Sequence, residues 1–186
     1  MTLQEMKIKV LSLIEEYNAE SELLTSDPDI AQKLNSVINQ IMYELARIKK
    51  IARYIEIPVV AGELITFDKL KEIVGADVYQ INRIKGVHYE AKANGTVFKI
   101  LSGGTAEIDV FIYPQRVSDD TPPDHQLELS DDALEIMPYG VAADLLKSDV
   151  STEYGSVYGT RYESMLDRLD PRSTISNIYA DGGVMI

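Results

Sequence analysis

Acidic side chains are the residues of this chain that could most readily do chemistry, and three of them lie close together. Asp131, Asp132 and Glu135 fall within five residues, and Asp131 and Glu135 share one face of a predicted helix. Such a pair could hold Mg²⁺ in a small metal-dependent hydrolase. Acids in a first helical turn are also expected because they stabilise the helix dipole, and no base or histidine accompanies them. We therefore expect no metal site here and keep the hydrolase only as an alternative.

Other candidates for catalysis are sparse. The chain has no cysteine and two histidines, His88 and His125, which fall in a predicted strand and a predicted loop without a ligand spacing. The glycine pairs in "SGGT" and "DGGVM" lack the third glycine or the lysine of a nucleotide-binding loop. The sequence therefore predicts a protein that is not an enzyme, with no catalytic residue, no metal and no cofactor.

The charge is unevenly distributed along the chain. Residues 118–170 hold 13 acids against three bases, whereas residues 1–117 hold 16 acids against 14 bases. An acidic segment repels nucleic acid, and its simplest interpretation is a solvated surface. The only basic cluster, Arg47, Lys49, Lys50 and Arg53, is expected to be a solvated helix end, with contact to a DNA backbone as the alternative. No apolar stretch approaches the length of a transmembrane span.

Helical periodicity and capping signals predict two helices at the start of the chain. Between Thr2 and Tyr17, apolar residues recur at three- and four-residue steps. Asp27 as N-cap and Pro28 at the first helical position begin a second helix that should run to about Lys50. Two long helices joined by a short polar link normally pack as an antiparallel pair.

Alternating residues follow and indicate strands. From Tyr54 the apolar residues occupy every second position, and Pro58 marks an edge strand. Asn94-Gly95 is typical of a tight hairpin turn, because both residues accept positive φ angles. Residues 54–117 are therefore predicted to form an antiparallel meander with one buried face.

Two further helices are predicted after a proline-containing loop. One begins after Ser130, and the other runs from about Glu153 to Leu169 with Tyr154, Tyr158 and Tyr162 at four-residue intervals. These tyrosines either cap the core or form a partner-binding stripe, since tyrosine is enriched at interfaces. The fold class is thus α+β: a helical bundle from residues 1–53 and 126–170, an inserted antiparallel β domain at 54–125, and an extended C-terminal arm at 171–186.

The stretch from Leu129 to Pro171 resembles the C-terminal part of head–tail connector (adaptor) proteins of tailed bacteriophages. Those proteins carry an acidic helix start, a run of the form "lPyyvAa.Ll..d", and a helix with tyrosines at four-residue spacing and an arginine. The matching residues are Asp131, Leu134, Pro138, Tyr139, Val141, Ala142, Ala143, Leu145, Leu146, Asp149, Tyr158, Arg161 and Tyr162. The "NSVINQIMYELARI" helix also resembles the opening of such proteins.

The same stretch places a helix breaker in the middle of an apolar helix. Pro138 cannot donate to the carbonyl of Leu134, so a bend is expected there. Gly140 lacks a side chain and lets another helix approach closely, and Ala142 and Ala143 continue that strip of small residues. Pro138, Gly140, Ala142 and Ala143 are therefore predicted to serve helix packing within or between subunits.

The resemblance implies a structural virion protein, made in the host cytoplasm and located at the head–tail junction. It implies a homo-oligomeric ring of twelve subunits that binds the portal protein and a tail or neck protein, without contact to a membrane. DNA would pass through the channel without sequence-specific binding. A tail-completion or neck protein is the alternative within this class, and a hydrolase using Asp131 and Glu135 is the alternative outside it.

The last residues carry apolar side chains on a segment too short for a core of its own. They are Ile175, Ile178, Tyr179, Val184, Met185 and Ile186. Apolar residues near a terminus gain little in water unless they add to a sheet, in the same chain or in a neighbour. Our hypothesis is that residues 172–186 form a docking arm that binds an adjacent subunit or the portal.

Overall fold

The computed structural model describes residues 1–148 and 153–169 of the chain. The helices within these ranges are α1 (Leu3–Leu13), α2 (Pro28–Ile48), α3 (Phe67–Val74), α4 (Asp131–Leu145) and α5 (Tyr154–Leu169). The strands are β1 (Ile51–Val59), β2 (Leu64–Thr66), β3 (Val78–Lys85), β4 (Tyr89–Lys92), β5 (Val97–Ile100) and β6 (Gly104–Ile112). Short 3₁₀ turns occupy Ala93–Gly95 and Leu146–Ser148.

Two compact units divide the chain, with a boundary inside α2. The helical unit comprises Met1–Ile41 and the described residues from Val117 onward, and it contains α1, most of α2, α4 and α5. The β unit, Met42–Arg116, contains the end of α2, α3 and the six strands. The chain is therefore a mixed α+β protein, as its sequence predicts.

The first two helices begin at residues whose side chains cap them. The Thr2 hydroxyl accepts a bond from the Glu5 amide at 3.1 Å, and the Glu5 carboxylate accepts one from the Thr2 amide at 2.9 Å. The Asp27 carboxylate accepts from the amides of Asp29 at 2.8 Å and Ile30 at 3.3 Å, which confirms the predicted N-cap. α1 ends at Leu13, earlier than predicted, because Glu15 has a left-handed φ of 61° that cannot continue a helix.

The predicted meander is wrong, although the strands themselves are present. They form two antiparallel three-stranded sheets in the orders β1-β6-β3 and β2-β5-β4. β1 pairs with β6, the last strand of the unit, from Ile51↔Ile112 to Val59↔Gly104, and it is an edge strand as Pro58 predicts. Alternation reports which residues face inward but not which strands pair, so the order of strands is a tertiary property.

A short helix and a tight turn complete the β unit. α3 is absent from the elements predicted by sequence; it is capped by the Thr66 hydroxyl, which accepts from the Lys69 amide, and ends at Gly75 with φ 73°. The predicted hairpin at Asn94-Gly95 is confirmed between β4 and β5, with positive φ at both residues. One core joins both sheets and α3, with these residues at its centre: Ile65, Leu70, Ile100, Ile108 and Ile112.

Candidate interaction surface

α4 and α5 pack closely because glycine lies at their point of contact. Gly140 on α4 faces the ring of Tyr162 on α5, and a Cβ atom added to Gly140 would lie 2.8 Å from Tyr162 Cε2. The same Cβ would lie 3.1 Å from the Cγ2 atom of Ile41 on α2. Any side chain at residue 140 would therefore require the Tyr162 ring to shift and the Ile41 side chain to move by a few tenths of an ångström.

Two glycines of α5, which are absent from the packing residues predicted by sequence, continue this contact. A Cβ on Gly155 would lie 3.2 Å from the Leu146 carbonyl oxygen, and one on Gly159 would lie 3.9 Å from the Ala143 Cβ. Small residues at four-residue spacing on one helix typically mark a close approach of another helix. The spacing of the two glycines in "GSVYG" is the signal that could have predicted this face of α5.

Pro138 lies inside α4, which runs without interruption from Asp131 to Leu145. Its side chain is buried, and so are those of Leu134, Met137 and Ala142, whereas Ala143 is half-buried. α4 therefore buries most of its circumference, as expected of a helix that is apolar on several sides. Pro138 also forms part of the wall of a groove between α1, α4 and α5.

The three tyrosines of α5 have different environments. Tyr162 is only 8% exposed and belongs to the core, so it is not part of an accessible stripe. Tyr158 is half-buried, and its hydroxyl donates to the Leu13 carbonyl at the end of α1 at 2.6 Å. Tyr154 is 57% exposed and stacks on Tyr158 with ring centres 6.5 Å apart. Of the predicted partner-binding tyrosines, Tyr154 and part of Tyr158 remain accessible.

A second aromatic contact joins α4 to α5. The guanidinium of Arg161 lies 4.2 Å from the ring centre of Tyr139, and the rings of Tyr139 and Tyr158 are 6.4 Å apart. A cation over an aromatic face is attracted by the ring quadrupole, which holds both side chains in place. Tyr139, Tyr158 and Arg161 thus form one partly exposed cluster, which we call the Tyr–Arg cluster.

The groove beside this cluster, which we call the basic groove, is lined by apolar residues together with two bases and one acid. It encloses about 540 Å³. Its apolar residues are Ile8, Leu13, Pro138 and Met165, and its polar ones are Lys9, Ser12, Glu135, Tyr139 and Arg161. The surface continues along α5 past Val157, which is 56% exposed, to Arg168.

The acidic residues considered for metal binding do not form a cluster that could bind a metal ion within the described residues. Asp131 and Glu135 are exposed on α4, and Glu135 lies at the rim of the basic groove. Within residues 1–148 and 153–169, no three His, Cys, Asp or Glu side chains lie close enough together to hold a metal ion. The geometry therefore lends no support to the hydrolase alternative.

The predicted basic cluster lies on the β unit around aromatic rings. The Arg47 guanidinium donates to the Tyr113 hydroxyl at 2.6 Å, and the Lys50 ammonium lies 4.6 Å from the centre of the Phe111 ring. Arg53 is exposed on β1. Arg47 and Lys50 are engaged by aromatic groups of the same unit, and the solvated helix end stays a prediction, with contact to a DNA backbone as its alternative.

The predicted partner-binding residues of the C-terminal arm lie outside the described residues: Ile175, Ile178, Tyr179, Val184 and Ile186. In the part of the chain that is described, no helix has both the length and the apolarity needed to cross a bilayer.

No protein-family model and no curated protein matches this chain.

Proposed function

We propose that this chain is a structural protein of a tailed-bacteriophage particle, a connector subunit that forms a ring beneath the portal and joins head to tail. The observation that carries the proposal is the Tyr–Arg cluster. Tyr139, Tyr158 and Arg161 are among the residues that resemble connector proteins, and they meet on one surface beside an apolar groove. Tyrosine and arginine are enriched where proteins bind one another.

The packing of α4 on α5 supports a role in assembly. The contact of Gly140 with Tyr162 accounts for the small residue in "PYGVAA" by packing alone, without any catalytic requirement. A rigid pair of helices presents surface residues in fixed positions, which lowers the entropy lost on binding. In the proposed ring, this pair would supply the contacts to neighbouring subunits and to the portal.

The charge of the helical unit supports passage of DNA without binding. Residues 1–41 and 117–186 carry 21 acids against seven bases, whereas residues 42–116 carry nine acids against 11 bases. A channel wall that repels phosphates keeps DNA from adhering in transit. The ring of twelve subunits, the portal on one side and a tail or neck protein on the other follow from the resemblance to connectors.

Incorporation into particles tests the proposal. Particles are purified from cells that carry the gene in its phage, and the copies per particle are measured by quantitative mass spectrometry and located by electron microscopy. We expect a ring at the head–tail junction, and Arg161→Glu should lower incorporation roughly tenfold or more. Arg53→Glu is the matched control, because it makes the same charge change at an exposed arginine of the β unit.

Three outcomes decide between the alternatives. A ring in direct contact with the portal supports the connector. Density one layer further from the head identifies a tail-completion or neck protein instead. Particles that lack the chain altogether contradict both.

A further inference from the structure

The loop that leads back into the helical unit is exposed, acidic and firmly anchored. This acidic loop, Ser118–Asp124, includes Asp119, Asp120 and Asp124, all exposed. At its start, the buried Asn39 amide group bonds both backbone groups of Val117 at 2.8 Å. At its end, the Pro123 carbonyl accepts a bond from the Gln4 amide at 3.0 Å. An exposed loop held at both ends is preorganised for binding.

The basic groove offers the opposite charge. Lys9 and Arg161 are exposed in the groove, where Glu135 is the one acid, and Arg168 is exposed on the surface that continues from it along α5. None of these three bases takes part in an ion pair within the described residues. The helical unit has an excess of 14 acids, so a surface with three bases and one acid differs in charge from the rest of the unit. Such a surface attracts an acidic partner.

The loop and the groove lie on opposite sides of α1. Lys7 lies beside Asp119 and Pro123 of the acidic loop, and Lys9 lies in the basic groove. Residues two positions apart on an α-helix point about 200° apart, since each residue turns the helix by about 100°. The acidic loop of one copy therefore cannot fill its own groove by a small movement, but it can face the groove of a second copy.

We infer that the acidic loop of one copy docks into the basic groove of the next copy. The contact joins two different surfaces, so it propagates from copy to copy, and it gives the proposed ring when the rotation between successive copies closes. Asp120 and Asp124 would face Lys9 and Arg168, and the exposed Pro122 and Pro123 would pack on the Tyr139 ring and Pro138. Prolines on an aromatic groove bind with little loss of entropy because their backbone is already restricted. The inference rests on the proposed connector ring and names its subunit contact.

Charge reversal on each surface tests the contact. The loop variant carries Asp120→Lys and Asp124→Lys, and the groove variant carries Lys9→Glu and Arg168→Glu. All four positions are exposed, so both variants should fold, which the melting temperature checks. Self-association of the full chain is measured by sedimentation over a range of concentrations. Each variant alone should associate roughly tenfold more weakly than the wild type, because like charges then face each other.

A mixture of the two variants provides the decisive measurement. The new lysines of the loop variant would then meet the acidified groove of the groove variant, and the unchanged loop would meet the unchanged groove. Copies of the two variants should therefore alternate in one assembly, and the strength of association should return to the wild-type level. Matched controls are Glu163→Lys with Asp167→Lys, and Arg53→Glu with Lys85→Glu, which repeat the charge changes at exposed positions outside both surfaces. These controls should associate like the wild type.

Distinct outcomes overturn the contact and the proposed function. A wild-type chain that stays monomeric at its highest soluble concentration, association that stops at a two-fold dimer, or a mixture that fails to recover overturns the head-to-tail contact. If the variants form normal rings in particles, the connector function is supported and the contact between loop and groove is overturned. If the mixed variants associate like the wild type but the chain is absent from particles, the contact is supported and the connector function is overturned.

Discussion

The ring of Tyr162 on α5 lies directly against Gly140 on α4, so close that a Cβ at residue 140 would lie 2.8 Å from Cε2 and 3.0 Å from Cδ2 of that ring. These distances are shorter than ordinary carbon contacts, so no larger residue fits unless the Tyr162 ring moves. The glycine in the apolar stretch of α4 thus has a physical reason in the packing of the two helices.

Gly140→Ala should destabilise the chain. Alanine gains about 1 kcal/mol of helix propensity, but overpacking against Tyr162 and Ile41 costs about 1–3 kcal/mol. Unfolding in urea, followed by circular dichroism, gives the net change. Gly159→Ala is the matched control, because its Cβ meets only the Ala143 Cβ at 3.9 Å and should raise stability. If both substitutions raise stability equally, the close approach of Tyr162 to Gly140 does not affect the free energy of unfolding.

Pro138→Ala should restore a backbone hydrogen bond in α4 and yet impair assembly. The helix gains roughly 3 kcal/mol of propensity, but the buried ring of Pro138 is lost from the packing of α4 and from the wall of the basic groove. We expect a gain in unfolding free energy well below the propensity value, together with lower incorporation into particles. A variant that keeps the full gain and assembles normally would show that the proline is incidental.

Substitutions at Tyr158 and Tyr154 should distinguish effects on stability from effects on partner binding. Tyr158→Phe removes the hydroxyl that donates to the Leu13 carbonyl, which should lower the unfolding free energy by about 1 kcal/mol. Tyr154→Phe is the control for stability, because Tyr154 is largely exposed and should tolerate the change. Tyr154→Ser loses the stacking on Tyr158, so it should lower the unfolding free energy by only about 1 kcal/mol, and it should reduce incorporation. Normal incorporation of Tyr154→Ser would remove Tyr154 from the proposed binding surface.

The Tyr54 hydroxyl should lose its proton at an unusually high pH. Its hydroxyl donates to the Glu56 carboxylate at 2.6 Å, and this bond, which needs the neutral phenol, raises the pKa of Tyr54 from 10.0 to about 12. The bond is therefore fully present below pH 10 and is lost as the pH rises through about 12. In Glu56→Ala, which removes the acceptor, the Tyr54 pKa should fall back toward 10.0, measured by NMR of ring-labelled tyrosine. An unchanged pKa in that variant would exclude the bond as its cause.

Deletion of residues 172–186 tests the docking-arm hypothesis. If the segment binds a neighbouring subunit or the portal, its removal should leave the melting temperature of the free chain almost unchanged and abolish incorporation into heads. A large fall in melting temperature would instead assign the segment to the fold of its own subunit. Undiminished incorporation would refute the docking hypothesis.

Local physical chemistry allowed much of the secondary structure to be predicted from the sequence. The start of α2 follows from Asp27 and Pro28, which act on the first helical turn, and the β4–β5 hairpin follows from the positive φ angles of Asn94 and Gly95. α4 and α5 follow from apolar periodicity, which α4 retains through Pro138. α3 was missed although Thr66 and Gly75 mark its ends, because its eight residues are fewer than the about 11 to 18 over which helical periodicity is normally recognised.

Tertiary structure decided which residues meet. The pairing of β1 with β6 joins strands at the two ends of the β unit, and period-two alternation is compatible with several strand orders. The stripe of tyrosines on α5 could be recognised in the sequence, but only the packing shows that Tyr162 is buried against Gly140 while Tyr154 remains exposed. Periodicity determines the face of a helix on which a residue lies, whereas the exposure of that face depends on distant segments that pack against it.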